Sequence, residues 1–247
     1  MAADLQRIFK AYDIRGVYPE QFDEDAAYRI GRAFASWSGA EWIVLGRDCR
    51  LSSPAISEAF ASGVTAVGVG IVDIGLATTD MVYFASGRMS LPGAMFTASH
   101  NPPEYNGLKM CLSGARPVGV ESGLAEVRAL AERESSPRAR APAARDLITR
   151  RDLREEYIEH LISFVDLERF LPFTVVADAA NGMAGLVVPD LFQRLPGKLV
   201  PLYMDLDGTF PNHPADPIDP KNQKDVKRAV LEHGADLGLA FDGDADR

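Results

Sequence analysis

Cysteine is scarce in this chain: two in 247 residues, Cys49 and Cys111, far apart and forming no C-x-x-C pair. They define neither a disulfide framework nor a zinc site, and both read as buried thiols, since free cysteine is usually packed inside. Positive charge is in deficit too. With 26 Lys and Arg against 35 Asp and Glu, the formal net charge is -9 and the pI near 5.0. That balance argues against a nucleic-acid or anionic-membrane partner, although local basic residues still allow small anions to bind. No segment approaches the roughly 18 apolar residues of a membrane span. At the N-terminus, MAADLQRIFKAYDIRG sets Asp4, Arg7 and Lys10 where a signal peptide needs an uninterrupted apolar region. A cytoplasmic protein is expected. His160, His213 and His233 lack ligand spacing, and no G-x-S-x-G elbow marks an esterase.

What the chain does have is 47% hydrophobic residues, ample for one large or two ordinary domains. EWIVLGRD (41 to 48) reads as a buried strand. A helix follows, with Ser53 as its expected cap, Pro54 in its first turn, and Ile56, Phe60, Val64 and Val67 on one face. GIVDIG then predicts a strand, TTDMVYFASGRM a helix and PGAMFTAS a third strand, an alternation that implies a mainly parallel sheet flanked by helices. The polar, basic, Ala- and Pro-rich stretch at 131–150 predicts a linker or domain boundary. Beyond it the alternation resumes: a helix through Leu153, Tyr157 and Leu161, a strand at FTVVAD, a helix over 181–195, a strand at KLVPLYM, a Pro- and Asp-rich loop, a helix around Val226 to His233, and a strand at LGLAF. The expected fold is α/β, with two consecutive three-layer α/β/α units and mixed, mostly parallel sheets: 1–140 and 141–247.

Two stretches carry chemistry. In GLAFDGDADR, Asp242, Asp244 and Asp246 follow a strand at alternate positions, and a turning backbone can aim all three carboxylates at one point, as hard divalent cations require. A solvated acidic turn is the competing reading; an EF-hand loop would continue between helices. In GAMFTASHNPPEYNGLKM, Ser99 leaves the end of a strand in a turn forced by Asn101, Pro102 and Pro103, beside His100 and ten residues before Lys109. That placement suits a covalent nucleophile or, more plainly, a polar turn.

TASHNPPEYNGLK and DGDADR, preceded by KAYDIRG, together resemble the α-D-phosphohexomutase superfamily, in its bacterial phosphomannomutase/phosphoglucomutase form; GRDCRLSSP and DAANGMAG extend the likeness along the chain. The resemblance implies that Ser99 is the phosphoserine and that Asp242, Asp244 and Asp246 hold one Mg²⁺ together with a phosphoserine oxygen. It places Tyr12 and Arg15 in the substrate site, Lys109 and His100 near proton transfer, and Arg247 at the phosphoryl group. The implied reaction interconverts hexose 1- and 6-phosphates of mannose or glucose through a hexose 1,6-bisphosphate, which also serves as activator. Such chemistry rests on positioning and charge neutralisation, which a bound cation and arginines supply. Ala245 departs from the commoner D-G-D-G-D-R form, and is compatible with metal binding if its backbone needs no positive φ.

Two rivals remain. LYMDLDGTF imitates the nucleophile motif of haloacid-dehalogenase-type phosphatases, with Asp205 as nucleophile and Asp207 as acid/base, but too little sequence follows for that fold; a turn at Asp207-Gly208 is preferred. The other is a non-catalytic partial chain that keeps metal and phosphate binding. Superfamily mutases are longer, so the sequence reads as a partial one, its second unit short of a final strand and weak in turnover alone.

Overall fold

The computed structural model describes residues 4–134, 142–169 and 171–247, so the linker expected at 131–150 lies partly, at 135–141, outside the described residues. A short helix α1 (Leu5–Ile8) leads into β1 (Ile14–Val17), followed by α2 (Glu24–Ser38). Asp23 caps α2 by accepting from the Ala26 amide, and Gly39 ends it in a left-handed conformation. Next come β2 (Trp42–Arg47), α3 (Ser53–Thr65), β3 (Gly70–Leu76), α4 (Thr79–Met89) and β4 (Gly93–Phe96). The cap of α3 is Ser52 rather than Ser53, and Ser52 makes no side-chain capping bond. Ser53 is instead turned toward β2, where its hydroxyl donates to Asp48 Oδ1 at 2.6 Å.

From β4 the chain returns antiparallel as β5 (Tyr105–Leu112), pairs β6 (Arg116–Pro117) with it, and forms α5 (Leu124–Arg133). After the undescribed stretch, β7 (Ile148–Arg150) runs parallel to β3. The resulting sheet has the order β1-β5-β4-β2-β3-β7 with β6 beside β5; β4, β2, β3 and β7 are mutually parallel. Alternation along the strands sorts side chains to two cores. Ile43, Leu45, Ala94 and Phe96 face a core with α2, α3 and α5, while Val44, Val72 and Met95 face the other side with α4.

The second unit opens with α6 (Arg154–Ile162), then β8 (Thr174–Asp178), α7 (Ala184–Phe192), β9 (Lys198–Leu202), α8 (Lys224–His233) and β10 (Leu237–Ala240). Among the described residues its sheet is three-stranded and parallel, ordered β10-β8-β9. Val176 and Val200 pack under α8, and Ala177 under α7, so both sheet faces are covered. The junction is intimate: Leu153, Tyr157 and Ile158 at α6 and Val187 of α7 share the core of the first sheet with Met81, Val82 and Ala85 of α4. The ends of β4 and β10 meet at this junction. No helix among the described residues is long and apolar enough to cross a membrane.

Candidate functional site

Ser99 lies three residues past β4, with its backbone at φ 53, a left-handed conformation that an L-residue adopts at a cost. Two features hold it there. The Thr97 hydroxyl accepts from its amide at 2.9 Å, and Arg50 grips the loop from beneath. Only 1% exposed, Arg50 uses all five N–H groups: Nε on Asp48 Oδ2 (3.1 Å), Nη1 on the carbonyls of Pro102 (2.6 Å) and Tyr105 (3.1 Å), Nη2 on those of Ser99 (2.8 Å) and Asn101 (2.8 Å). The ring of Phe210, from the second unit, covers its guanidinium with 5.0 Å to the ring centroid. Spacing in GRDCR leaves the partners of Arg47 and Arg50 open; in the fold Arg50 pairs with Asp48 and scaffolds the serine loop, while Arg47 does neither.

The buried Ser99 hydroxyl donates to Asp242 Oδ2 at 2.6 Å. Asp242, Asp244 and Asp246 follow β10, and one oxygen from each lies within 4.8 Å of the others. The serine and aspartate loops touch backbone to backbone: a Cβ on Gly243 would stand 2.5 Å from the Ser99 carbonyl, so only glycine fits there. Lys109 arrives by strand register. Opposite Met95 on the antiparallel β5, it reaches Asp244 Oδ2 (2.7 Å) and Asp246 Oδ2 (2.5 Å). Thr79, at the start of α4, also donates to Asp244 Oδ2 (2.6 Å).

These contacts divide the carboxylates. Burial, reinforced by the charge of Asp244, pushes Asp242 up to about 7. Burial acts on Asp244 in the same sense, but the Lys109 ammonium outweighs it and holds the carboxyl below the usual range. Lys109 is correspondingly raised and stays charged. Asp244 Oδ1 is buried with no hydrogen-bond partner among the described residues. An orphaned carboxylate oxygen beside two more carboxylates is a donor set that fits a hard divalent cation such as Mg²⁺.

Around Ser99 stand the remaining candidates. His100 Nδ1 is 3.3 Å from Ser99 Oγ and accepts from Arg247 Nη1 at 2.9 Å, which fixes the tautomer with the proton on Nε2. Burial and then the charges of Arg247 and Arg15 lower its pKa, keeping the ring neutral at neutral pH. Arg15, on β1, bonds Asn101 Oδ1 (2.5 Å) and Asp13 (2.7 Å). The structure thus brings Ser99, His100, Lys109, Arg15, Arg247 and the three aspartates into one cluster. Tyr12 stays apart, 83% exposed and without a hydrogen bond to the cluster.

Sequence reasoning missed Thr79, which carried no signal beyond a helix start, and the scaffolding role of Arg50; it read Asn101 only as a turn residue. Of the two thiols Cys111 is buried, whereas Cys49 is half-buried, with burial pushing it up to about 12. The phosphatase-like stretch is a turn. β9 ends at Leu202, short of Asp205, and Asp207 accepts from the Thr209 amide and hydroxyl at 2.9 and 2.7 Å.

Comparison with known proteins places the family and the fold. Residues 6–138 match the family model described as phosphoglucomutase/phosphomannomutase, alpha/beta/alpha domain I, and residues 155–247 match that of domain II. The chain is 42% identical over 245 residues to a phosphomannomutase of Salmonella montevideo, covering 97% of this chain and 54% of that protein. It is 41% identical over 251 residues to a phosphoglucomutase of Neisseria meningitidis, covering 100% and 53%. Among solved structures, a phosphoglucomutase/phosphomannomutase family protein from Burkholderia thailandensis superposes with a TM-score of 0.86 at 38% identity, over 98% of this chain and 54% of that one. The chain spans about half the length of the curated relatives it matches.

Proposed function

Because the chain belongs to the phosphoglucomutase/phosphomannomutase family, we propose that it carries the phosphoryl-transfer centre of a mutase that interconverts the 1- and 6-phosphates of mannose or glucose. The phosphoryl group resides on Ser99, and a hexose 1,6-bisphosphate is the intermediate. The observation that carries this reading is the 2.6 Å contact of a buried serine hydroxyl with Asp242, beside an unsatisfied Asp244 oxygen. A phosphoryl group on Ser99 brings about -1.5 to -2 charges against these carboxylates, so the site holds it only with cations near by. Asp242, Asp244 and Asp246 would hold Mg²⁺, which supplies charge neutralisation at the phosphoryl oxygens.

The chain's own groups supply the rest. Arg50 and Thr97 keep Ser99 at the mouth of its turn, so no reorientation is needed at transfer. Lys109 stays an ammonium between Asp244 and Asp246, fixing both carboxylates and adding positive charge. During transfer the phosphorus–Ser99 Oγ bond breaks and a bond to a sugar hydroxyl oxygen forms, while that hydroxyl loses its proton and the departing Ser99 oxygen takes one up. His100 is neutral, with Nδ1 beside Ser99 Oγ, and suits the proton-handling role once Arg247 leaves Nδ1 to meet the substrate. Arg247 and Arg15 face the same mouth and would meet the anionic substrate through charge-assisted hydrogen bonds. Reversal of these steps at the sugar's other oxygen yields the isomer and restores phosphoserine.

Intact-mass spectrometry after incubation with Mg²⁺ and glucose 1,6-bisphosphate tests the proposal. The expected result is one added phosphate on the wild type and none on Ser99→Ala. A folded wild type that takes up nothing, or a phosphate that persists in Ser99→Ala, would overturn it.

A further inference from the structure

A second cationic pocket, of about 560 Å³, shares no lining residue with the Ser99 cluster. It opens where the parallel strands β2, β3 and β7 reach their carboxyl ends, the edge of an α/β sheet at which ligands characteristically bind. Arg47 is the last residue of β2, Arg150 the last of β7, and Arg151 and Arg154 lead into α6. In a chain of net charge -9, four guanidinium groups line this pocket against two carboxylates, Asp73 and Asp152.

The carboxylates are already engaged. Asp73 accepts from the Gly75 amide (2.9 Å) and lies 3.7 Å from Arg150, and Asp152 accepts from the Arg154 amide (2.9 Å). Arg151 and Arg154 pair with Glu156 and Asp190 at 3.0 and 3.5 Å, each pair with both partners over 40% exposed. Such solvated pairs are worth little and exchange readily. Arg47 has no partner. Its guanidinium makes no hydrogen bond or ion pair among the described residues, and its Nη1 is buried. A buried, unpaired cationic nitrogen is costly and calls for a counter-charge from outside the chain. The opposite wall is apolar, made by Ile74, Leu76 and, from the second unit, Leu186.

We propose that this pocket is a binding site for a small phosphorylated metabolite, its phosphate set against Arg47, Arg150 and Arg151 and its organic body against the apolar wall. A dianionic phosphate, with three terminal oxygens, engages several guanidinium groups at once, whereas one carboxylate offers two oxygens and a single charge. The volume lies within the range of small-ligand sites. This assignment is independent of the chemistry at Ser99.

The test is calorimetric titration with glucose 6-phosphate in the Ser99→Ala chain with EDTA present, which keeps the serine and metal chemistry out of the signal. Inorganic phosphate and citrate are titrated in parallel. Apart from any binding at the Ser99 cluster, which Arg15→Met and Arg247→Met remove, one further site is expected, with its dissociation constant raised at least tenfold by Arg47→Met and by Arg151→Gln, unchanged by Lys109→Met, and with citrate the weaker ligand. Arg47→Met keeps much of the side-chain stem and removes an unpaired charge, so its melting temperature should equal or exceed that of its parent. If it fails to fold, Arg151→Gln, at an exposed pair, decides alone. Absence of binding, binding indifferent to the arginine variants or lost with Lys109→Met, or citrate binding as tightly as glucose 6-phosphate, would each overturn the assignment.

Discussion

Arg50 shows how much one side chain can organise. Its guanidinium satisfies four loop carbonyls at once, and an ammonium has three donors on a flexible stem where the guanidinium has five in a fixed fork. Arg50→Lys should therefore loosen the serine loop. Since misplacement by an ångström costs about 100-fold, phosphate uptake on Ser99, timed by intact mass, is expected to slow by that order. Ala245 is the opposite case. It sits at φ 58 between Asp244 and Asp246, so the condition for its easy acceptance, a backbone without positive φ, is not met. Left-handed backbone costs a non-glycine residue about 1–2 kcal/mol, and glycine's greater unfolded-state entropy returns about 0.5–1 of that. Ala245→Gly should stabilise the chain by up to about 1.5 kcal/mol, read as a higher urea midpoint at constant slope. Ser99 and the aspartates were legible because their motifs are distinctive. Which arginine of GRDCR supports Ser99 was not, because β2 ends at Arg47 and strand parity says nothing about a turn.

At the scale of elements, the strongly periodic strands and helices were readable and the short or irregular ones were not. β5, which delivers Lys109, begins inside a stretch that reads as a Pro- and Asn-rich turn, and three-residue β7 has too few positions to show alternation. The Pro- and Asp-rich loop after β9 reads as loop, and is one, but it is pinned. His213 Nε2 lies 3.0 Å from Asp178 at the end of β8, and Nδ1 lies 2.9 Å from the Pro214 carbonyl. Both partners are acceptors, so the doubly protonated ring satisfies both, and the hydrogen bond to Asp178 raises its pKa above the ordinary 6.5. A raised folded-state pKa contributes stability that is fully present below the unfolded value of about 6.5 and is lost as pH rises through the folded value. His213→Gln should therefore destabilise more at pH 6 than at pH 9 in denaturant titrations; an equal loss at both would show that the charge contributes nothing.

Across the whole molecule, two sheets of different topology meet at one point, where the loop after β4 faces the loop after β10. The expectation of two α/β/α layers followed from the spacing of apolar segments, but their closeness did not, since sequence spacing carries no distance between units. Ligation at this meeting point should be felt globally. Mg²⁺ binding only the folded chain stabilises it by about 2.7 kcal/mol at 100 times its dissociation constant, so melting temperature should climb with Mg²⁺. Asp244→Asn, which replaces the charged carboxylate at the orphaned oxygen with a neutral amide, should flatten that rise while the Ser99 loop stays folded. The placement of α6 has a further consequence, for anyone exchanging segments between this chain and its relatives. Tyr157 and Ile158 roof the same sheet face as Val72 and Met81, and β7 shields the flank of β3. A chimera joined near residue 140 would inherit a mismatched lining, whereas one joined between Ile162 and Thr174 would keep α6 and β7 with the first sheet and leave only the α7 contact at Val187 to be matched.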